Sequence, residues 1–193
     1  MLFRSAILIG DLALSWADEM IFCSGLPHDV LARVKPVYDV MRTELMAGQY
    51  LDLLEQARRG TSVERAKNVI RFKSAKYTIE RPLHIGAAVA GASAAHNAAL
   101  SQYGLALGEA FQLRDDVLGV FGDSATTGKP AGDDLRERKQ TVLLALALAD
   151  PTSGIRISEL LSRETLTTDD IIELQTLVSH SGAIDSVEKM ISD

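Results

Sequence analysis

With one cysteine, Cys23, the chain can build neither an internal disulfide framework nor a cysteine-based zinc site. Such a residue fits a reducing compartment and is expected to be a small core side chain. Aromatic residues are scarce too, at 5% against 47% hydrophobic residues overall, and a core of alanine and leucine suits helix packed on helix. Positive charge is in deficit: the net charge is −6, which argues against a basic face for nucleic acid. His28, His84, His96 and His180 lie far apart with no carboxylate at ligand spacing, so each reads as structural or solvated. The short apolar stretch near Met1 is followed at once by Asp11, Asp18 and Glu19, so neither a signal peptide nor a membrane span is expected. What remains is a cytoplasmic, all-α protein of one domain over residues 1–193.

The most informative stretch runs from Phe111 to Asp123. Apolar residues at 111, 113, 117, 118, 120 and 121 predict a helix buried over much of its surface, yet Gln112, Asp115, Asp116 and Asp123 share that stretch. Helical spacing places 112, 115/116, 119 and 123 on one stripe. Carboxylates on a mostly buried helix are costly unless compensated, and a divalent cation is the usual compensator. The segment after it, Thr127 to Thr141, offers Lys129 from a glycine-flanked loop and Lys139 from the next helix start. Mg²⁺ takes oxygen ligands and keeps several waters, so carboxylates with lysines beside them are what a diphosphate requires. Paired acids elsewhere have a plainer reading. Asp169-Asp170 follows Thr167 and Thr168 at a helix start, where acid complements the dipole, and Asp133-Asp134 is read at least half as capping.

Two more polar intrusions into apolar stripes are ambiguous by spacing alone. On a helix over 28–59, bent or begun at Pro36, the stripe of Leu31, Val34, Tyr38, Met41 and Leu45 continues into Gln49 and Asp52. That helix end either rises into solvent or lines a cavity. On the next helix, opened by a capping box at Thr61 and Glu64, the stripe Val63, Ala66, Ile70, Lys73, Tyr77 carries one lysine. Lys73 is either snorkelling at the rim or facing an anion. Pro82 is expected to break the chain and Gly104 to interrupt it again, leaving a small-residue helix over 85–103 and the carboxylate helix over 105–121. A buried helix over 134–149, a short helix within 152–166, one from Thr168 to about His180 and a last one after Gly182 complete the pattern. Residues 1–25 read as a helix with Phe3, Ile7, Leu8, Leu12, Leu14 and Ala17 as its buried face.

Phe111-Gln112 through Asp123, with Thr127-Gly128-Lys129-Pro130-Ala131-Gly132-Asp133-Asp134 after it, resembles the second aspartate-rich region of the trans-type isoprenyl diphosphate synthases, or polyprenyl synthetases. It looks most like the geranylgeranyl and polyprenyl members. Gly48-Gln49-Tyr50-Leu51-Asp52 resembles the family's G-Q-x-x-D, and Lys73-Ser74 its lysine–threonine diphosphate contact with serine in place of threonine. Two departures stand out. The strict D-D-x-x-D has Gly119 at its fifth position, where Asp123 is expected to supply the missing charge. The first aspartate-rich motif occurs nowhere in these residues.

The resemblance implies an isoprenoid-synthase-like helical bundle around a central cavity, N-terminally incomplete. It implies Mg²⁺ held by Asp115, Asp116 and Asp123, a diphosphate met by Lys73, Lys129 and Lys139, Gln112 in the catalytic site, and Ser74, Gln49 and Asp52 in substrate binding. The implied reaction condenses isopentenyl diphosphate with an allylic prenyl diphosphate, with a homodimer or a heteromer with a full-length synthase as the assembly. With one of two carboxylate clusters present, the chain is expected to be inactive or weak alone. A non-catalytic partner subunit, or a Mg²⁺–diphosphate-binding protein, is the alternative.

Overall fold

The computed structural model describes residues 2–58, 61–123, 125, 128 and 130–193, which are helical with no strand among them. Helix α1 spans Leu2–Phe22 and α2 His28–Arg58. Pro36 lies inside α2 without marking its start. A third continuous rod consists of α3 (Val63–Val69), a π-helical segment (Ile70–Glu80) and α4 (Arg81–Ala90). Helix α5 runs unbroken over Ala94–Phe121, followed by α6 (Asp133–Arg136), α7 (Val142–Ala149), α8 (Gly154–Leu161), α9 (Thr168–His180) and α10 (Ala183–Ser192). Among the described residues no helix is long and apolar enough to cross a membrane.

Several expected boundaries move, each for a local reason. The cap of α3 is Ser62, whose hydroxyl accepts from the Arg65 N–H at 3.4 Å, and not the Thr61/Glu64 box. Pro82 does not break the rod: it falls in the first turn of α4, where a missing N–H costs little. The break comes at Gly91, in the left-handed conformation at φ 68°, and Ser93 restarts the chain as the N-cap of α5. Gly104 does not interrupt α5 at all. The helix expected over 134–149 is divided: Arg138 takes a left-handed φ of 53°, and Thr141 caps α7 by accepting from Leu144 N–H at 3.1 Å. Arg138 then donates to the carbonyls of Leu161 (3.0 Å), Arg163 (2.5 Å) and Glu164 (3.1 Å), closing the open end of α8. Thr167 and Asp170 form a full capping box on α9, as the acid pair there suggests.

The π segment decides what the middle rod presents. Its turns close from N–H to the fifth carbonyl back, as Arg81 does to Lys76, so side chains drift off the ordinary helical stripe. The inward set becomes Ile70, Ser74, Ala75 and Glu80, while Tyr77 turns to solvent. This rod is packed between α2 and α5 at very close range. A Cβ on Gly48 would come within 2.5 Å of the Lys73 backbone nitrogen, and one on Gly108 within 2.5 Å of Ala75 Cα. Only glycine fits these contacts.

An ionic network ties the same rod to α2. Glu44 accepts from Lys76 at 2.5 Å and from both Arg81 Nη2 (2.8 Å) and Nε (2.7 Å). Burial raises the Glu44 carboxyl, but the Arg81 and Lys76 hydrogen bonds outweigh it and hold its pKa below the usual glutamate value.

The main core lies in the C-terminal half, where Leu135, Val142, Leu143, Ile157, Leu160, Leu174, Val178 and Val187 are almost fully buried. Helix α7 is apolar all round and accordingly enclosed. Most of the expected buried face of α1 is not buried: Phe3, Ile7, Leu8, Leu12 and Leu14 are exposed and Ala17 is half-buried, while Cys23 is exposed and not a core residue.

Gly108→Ala is expected to destabilise the fold by roughly 1–3 kcal/mol through overpacking. Gly86→Ala, on α4 with nothing within 4 Å, should stabilise by about 0.5–1 kcal/mol. Urea midpoints of the two variants check the contrast, and equal effects would contradict the close packing. Glu44→Gln is expected to cost about 2 kcal/mol near pH 7, between the worth of an exposed pair and that of a fully buried one. Because the folded carboxyl is lowered, its stabilisation is present above the unfolded pKa of about 4.5 and fades as pH falls through the folded value. The gap between wild type and variant should therefore narrow in acid denaturation below about pH 4.5.

Candidate functional site

The carboxylates of α5 and the displaced face of the π segment meet across a pocket of about 240 Å³. Asp52 and Lys73 stand on one side, Ser74 and Gln112 at the centre, and Asp115, Asp116 and Lys139 on the other. A larger cavity of about 530 Å³, beside Leu107, Leu113 and Met190, lacks any comparable convergence of charge. The smaller one is the candidate site, since converging titratable groups with perturbed pKa values mark function better than volume does.

One hydrogen-bonded chain crosses the pocket. Ser74 Oγ donates to Gln112 Oε1 at 2.6 Å. The Gln112 amide then donates to Asp116 Oδ1 at 3.0 Å and to Asp115 Oδ2 at 3.2 Å. Lys139 Nζ reaches Asp116 Oδ1 at 3.4 Å and Asp134 Oδ2 at 3.0 Å. On the opposite wall Lys73 Nζ lies 2.5 Å from Asp52 Oδ2, and Gln56 donates to the other Asp52 oxygen at 3.3 Å.

Burial governs Asp116. At 2% exposure its carboxyl is pushed up to about 6, the loss of hydration outweighing the help of Lys139 and Gln112, with Asp134 adding repulsion. For Lys139 burial works against the ammonium, but Asp116 and Asp134 prevail and raise its pKa. The group is thus one ammonium shared between two carboxyl groups, Asp134 at 3.0 Å and Asp116 at 3.4 Å.

The expected stripe survives in part. Gln112, Asp115 and Asp116 line the pocket, with Asp115 the exposed member. The helix is less buried than its composition suggests, since Phe111 and Leu118 face outward. Asp123 lies beyond the end of α5 at Phe121, accepts from Ala125 N–H at 3.1 Å and is not among the residues lining the pocket. Asp52 and Ser74 line the pocket, but Gln49 is exposed and lies off it. Lys129 falls outside the described residues.

Asp134 is the group that sequence reasoning misplaced, taken there as half a capping pair. It makes no side-chain cap and turns inward to Lys139. Gly119 explains how, because a Cβ at that position would run into the Asp134 carboxylate. The glycine that seemed to weaken the motif is the seat of an acid from another helix. Gln140 and Thr141, which also line the pocket, carried no signal beyond following Lys139.

The donors suit Mg²⁺, being carboxylate oxygens beside an open pocket. Among the described residues no three His, Cys, Asp or Glu side chains are arranged to enclose a metal. Mg²⁺ needs only one or two protein carboxylates when phosphate and water complete its shell, so the set fits.

Known proteins of similar sequence and fold bear on the family resemblance. The chain is similar to geranylgeranyl pyrophosphate synthase from Corynebacterium glutamicum, whose crystal structure is complexed with isoprenyl diphosphate and magnesium. The two superpose with a TM-score of 0.91 at 49% identity, over 96% of this chain and 53% of that one. It is 34% identical to geranylfarnesyl diphosphate synthase from Aeropyrum pernix, over 95% of this chain and 58% of that one. It is 35% identical to (2E,6E)-farnesyl diphosphate synthase from Mycobacterium tuberculosis strain H37Rv, over 83% and 44% respectively. The chain thus spans about half the length of these relatives. A family model described as polyprenyl synthetase matches residues 3–178, and the chain belongs to the polyprenyl synthetase family.

Proposed function

We propose that the pocket holds the diphosphate of a prenyl substrate through Mg²⁺, as part of a prenyltransferase that condenses isopentenyl diphosphate with an allylic diphosphate. The observation that carries this reading is the convergence of Asp115, Asp116, Ser74, Gln112 and the two lysines in one pocket. In that reaction the bond from the allylic carbon to the diphosphate oxygen breaks. The homoallylic double bond attacks the resulting cation, and a proton is then lost. Mg²⁺, when bound, draws charge from the departing diphosphate.

Asp115 and Asp116 would be its protein ligands, with Asp134 beside them. Lys73 and Lys139 would neutralise further phosphate oxygens, and Ser74 and Gln112 would orient the group between them. Asp52 holds Lys73 in place and keeps its ammonium on the pocket wall.

The 193 residues contain one aspartate-rich motif, so the isolated chain is expected to bind a Mg²⁺–diphosphate with very little turnover. Mg²⁺ with pyrophosphate should raise its melting temperature by roughly 5–10 °C at about a hundredfold excess over Kd. Asp115→Ala and Asp116→Ala should each abolish most of that shift. An unmoved melting temperature in the wild-type chain would remove the basis for the reading, and so would robust product formation by both alanine variants.

A second reading, a partner subunit for a longer synthase or for another copy, is favoured by α1. Phe3 is 79% exposed, Trp16 58% and Met20 75%, and apolar surface of this kind marks an association face. Sedimentation and a pull-down with a longer family member check it. Burial of the α1 face is expected to appear as a stable complex that Trp16→Glu weakens at least tenfold. A monomer at about 100 μM that captures nothing would exclude this reading.

A further inference from the structure

In the free protein, both lysines among the described lining residues are already paired with carboxylates. Lys73 is paired with Asp52 at 2.5 Å, and Lys139 is shared between Asp134 at 3.0 Å and Asp116 at 3.4 Å. The second arrangement is constructed with some care. Asp134 comes from α6 and reaches α5 only because Gly119 has no side chain to exclude it. The backbone of Lys139 is fixed as well, its N–H donating to the Asp134 carbonyl at 2.9 Å and its carbonyl accepting from Thr141 N–H at 3.0 Å. Its side chain keeps 25% exposure, so the ammonium can move while its anchor cannot.

Charge decides what such a cluster does. Two carboxylates and one ammonium sum to −1, an unfavourable remainder in a poorly hydrated place. A dication on the same oxygens would bring the carboxylate pair to neutrality and leave the ammonium with no partner. The nearest anion is then whatever the dication carries.

We propose that Lys139 is a built-in counterion of the Asp116–Asp134 pair, exchanged for a divalent cation, and that this exchange is what turns its ammonium to the diphosphate. The proposal rests on the reading of the pocket as a Mg²⁺–diphosphate site and adds an order to it. Lys139 competes with the metal for carboxylate oxygens and cooperates with it for phosphate oxygens. Metal and diphosphate therefore bind with positive coupling, and pyrophosphate alone meets lysines already engaged. Gly119 becomes a positioning residue, setting where Lys139 rests.

Calorimetry on the 193-residue chain tests the exchange, with Mg²⁺ alone and then pyrophosphate at saturating Mg²⁺. Lys139→Gln is expected to bind Mg²⁺ alone about tenfold more tightly and pyrophosphate about tenfold more weakly, within the usual range of coupling. Lys139→Arg, which keeps the charge, should stay near wild type for Mg²⁺. A merely structural lysine would move both affinities the same way. That outcome, or unchanged Mg²⁺ affinity in Lys139→Gln, would overturn the exchange while leaving the site itself intact. Failure of the wild-type chain to bind Mg²⁺ and pyrophosphate together would instead remove the underlying site. Acetylation footprinting of the wild-type chain needs no variant at all. Mg²⁺ alone should increase labelling of Lys139, and added pyrophosphate should reverse the increase; labelling indifferent to Mg²⁺ would also overturn the proposal.

Discussion

The backbone of the π segment lies against α2 and α5 with no side chain between, at Gly48 and Gly108. The pocket contacts of Lys73 and Ser74 follow from that proximity. A π turn is wider than an α turn and is sparingly used, since its hydrogen bonds are poorer and its axis less well filled. Here the neighbours give way by shedding Cβ atoms, and the rod is locked at a rotation that an α-helix would not hold. At that rotation Ser74 meets Gln112 at 2.6 Å, and Lys73 meets Asp52 at 2.5 Å. Helix packing and pocket chemistry are therefore one constraint. The same tight seam fixes the phase of α5, and with it the direction in which Asp115 and Asp116 project.

The long helices were legible because caps and periods reinforced each other, as at Thr167–Asp170 on α9. Asp115 and Asp116 were legible for the opposite reason: acids in mid-helix, in an apolar context, have no capping role to explain them. The π segment was not legible, since assuming the α period over residues 70–80 assigns the inward face to Tyr77 and leaves out Ser74 and Ala75. Pro82 and Gly104 looked like interruptions because local propensity was read without the neighbours that overrule it. Asp134 was hidden by its address. An acid in the first turn of a helix has an adequate local explanation, and only its approach to Gly119 reveals another use.

The apolar face of α1 is the clearest case of a sequence pattern that the described residues do not bury. Its spacing is that of a buried helix, yet Phe3, Leu8, Leu12 and Trp16 remain exposed. Between this helix and α2, Arg42 donates to Asp18 at 2.5 Å. Partly exposed ion pairs of that sort contribute about 1 kcal/mol or less. They orient a helix without satisfying its apolar surface. A pattern written for burial, in surroundings that leave it exposed, is what supports the proposed association face.

The site proposed above for a diphosphate on a dication also has to persist when both are absent. Unpaired charge in such a place would cost several kcal/mol, so the free protein supplies internal partners: Asp52 for Lys73, and Lys139 for Asp116 and Asp134. The compensation is unequal. Lys139 is raised by its two acids, while Asp116 remains pushed up to about 6 because burial costs it more than one distant ammonium returns. The imbalance has a direction. One ammonium serves two carboxyl groups, Asp134 at 3.0 Å and Asp116 at 3.4 Å, and the proposed exchange for a cation of twice its charge rests on that sharing. A pocket with perfectly matched internal pairs would gain nothing from that replacement. The 3.4 Å separation of Lys139 from Asp116, beside the 3.0 Å contact to Asp134, marks where the match is left incomplete.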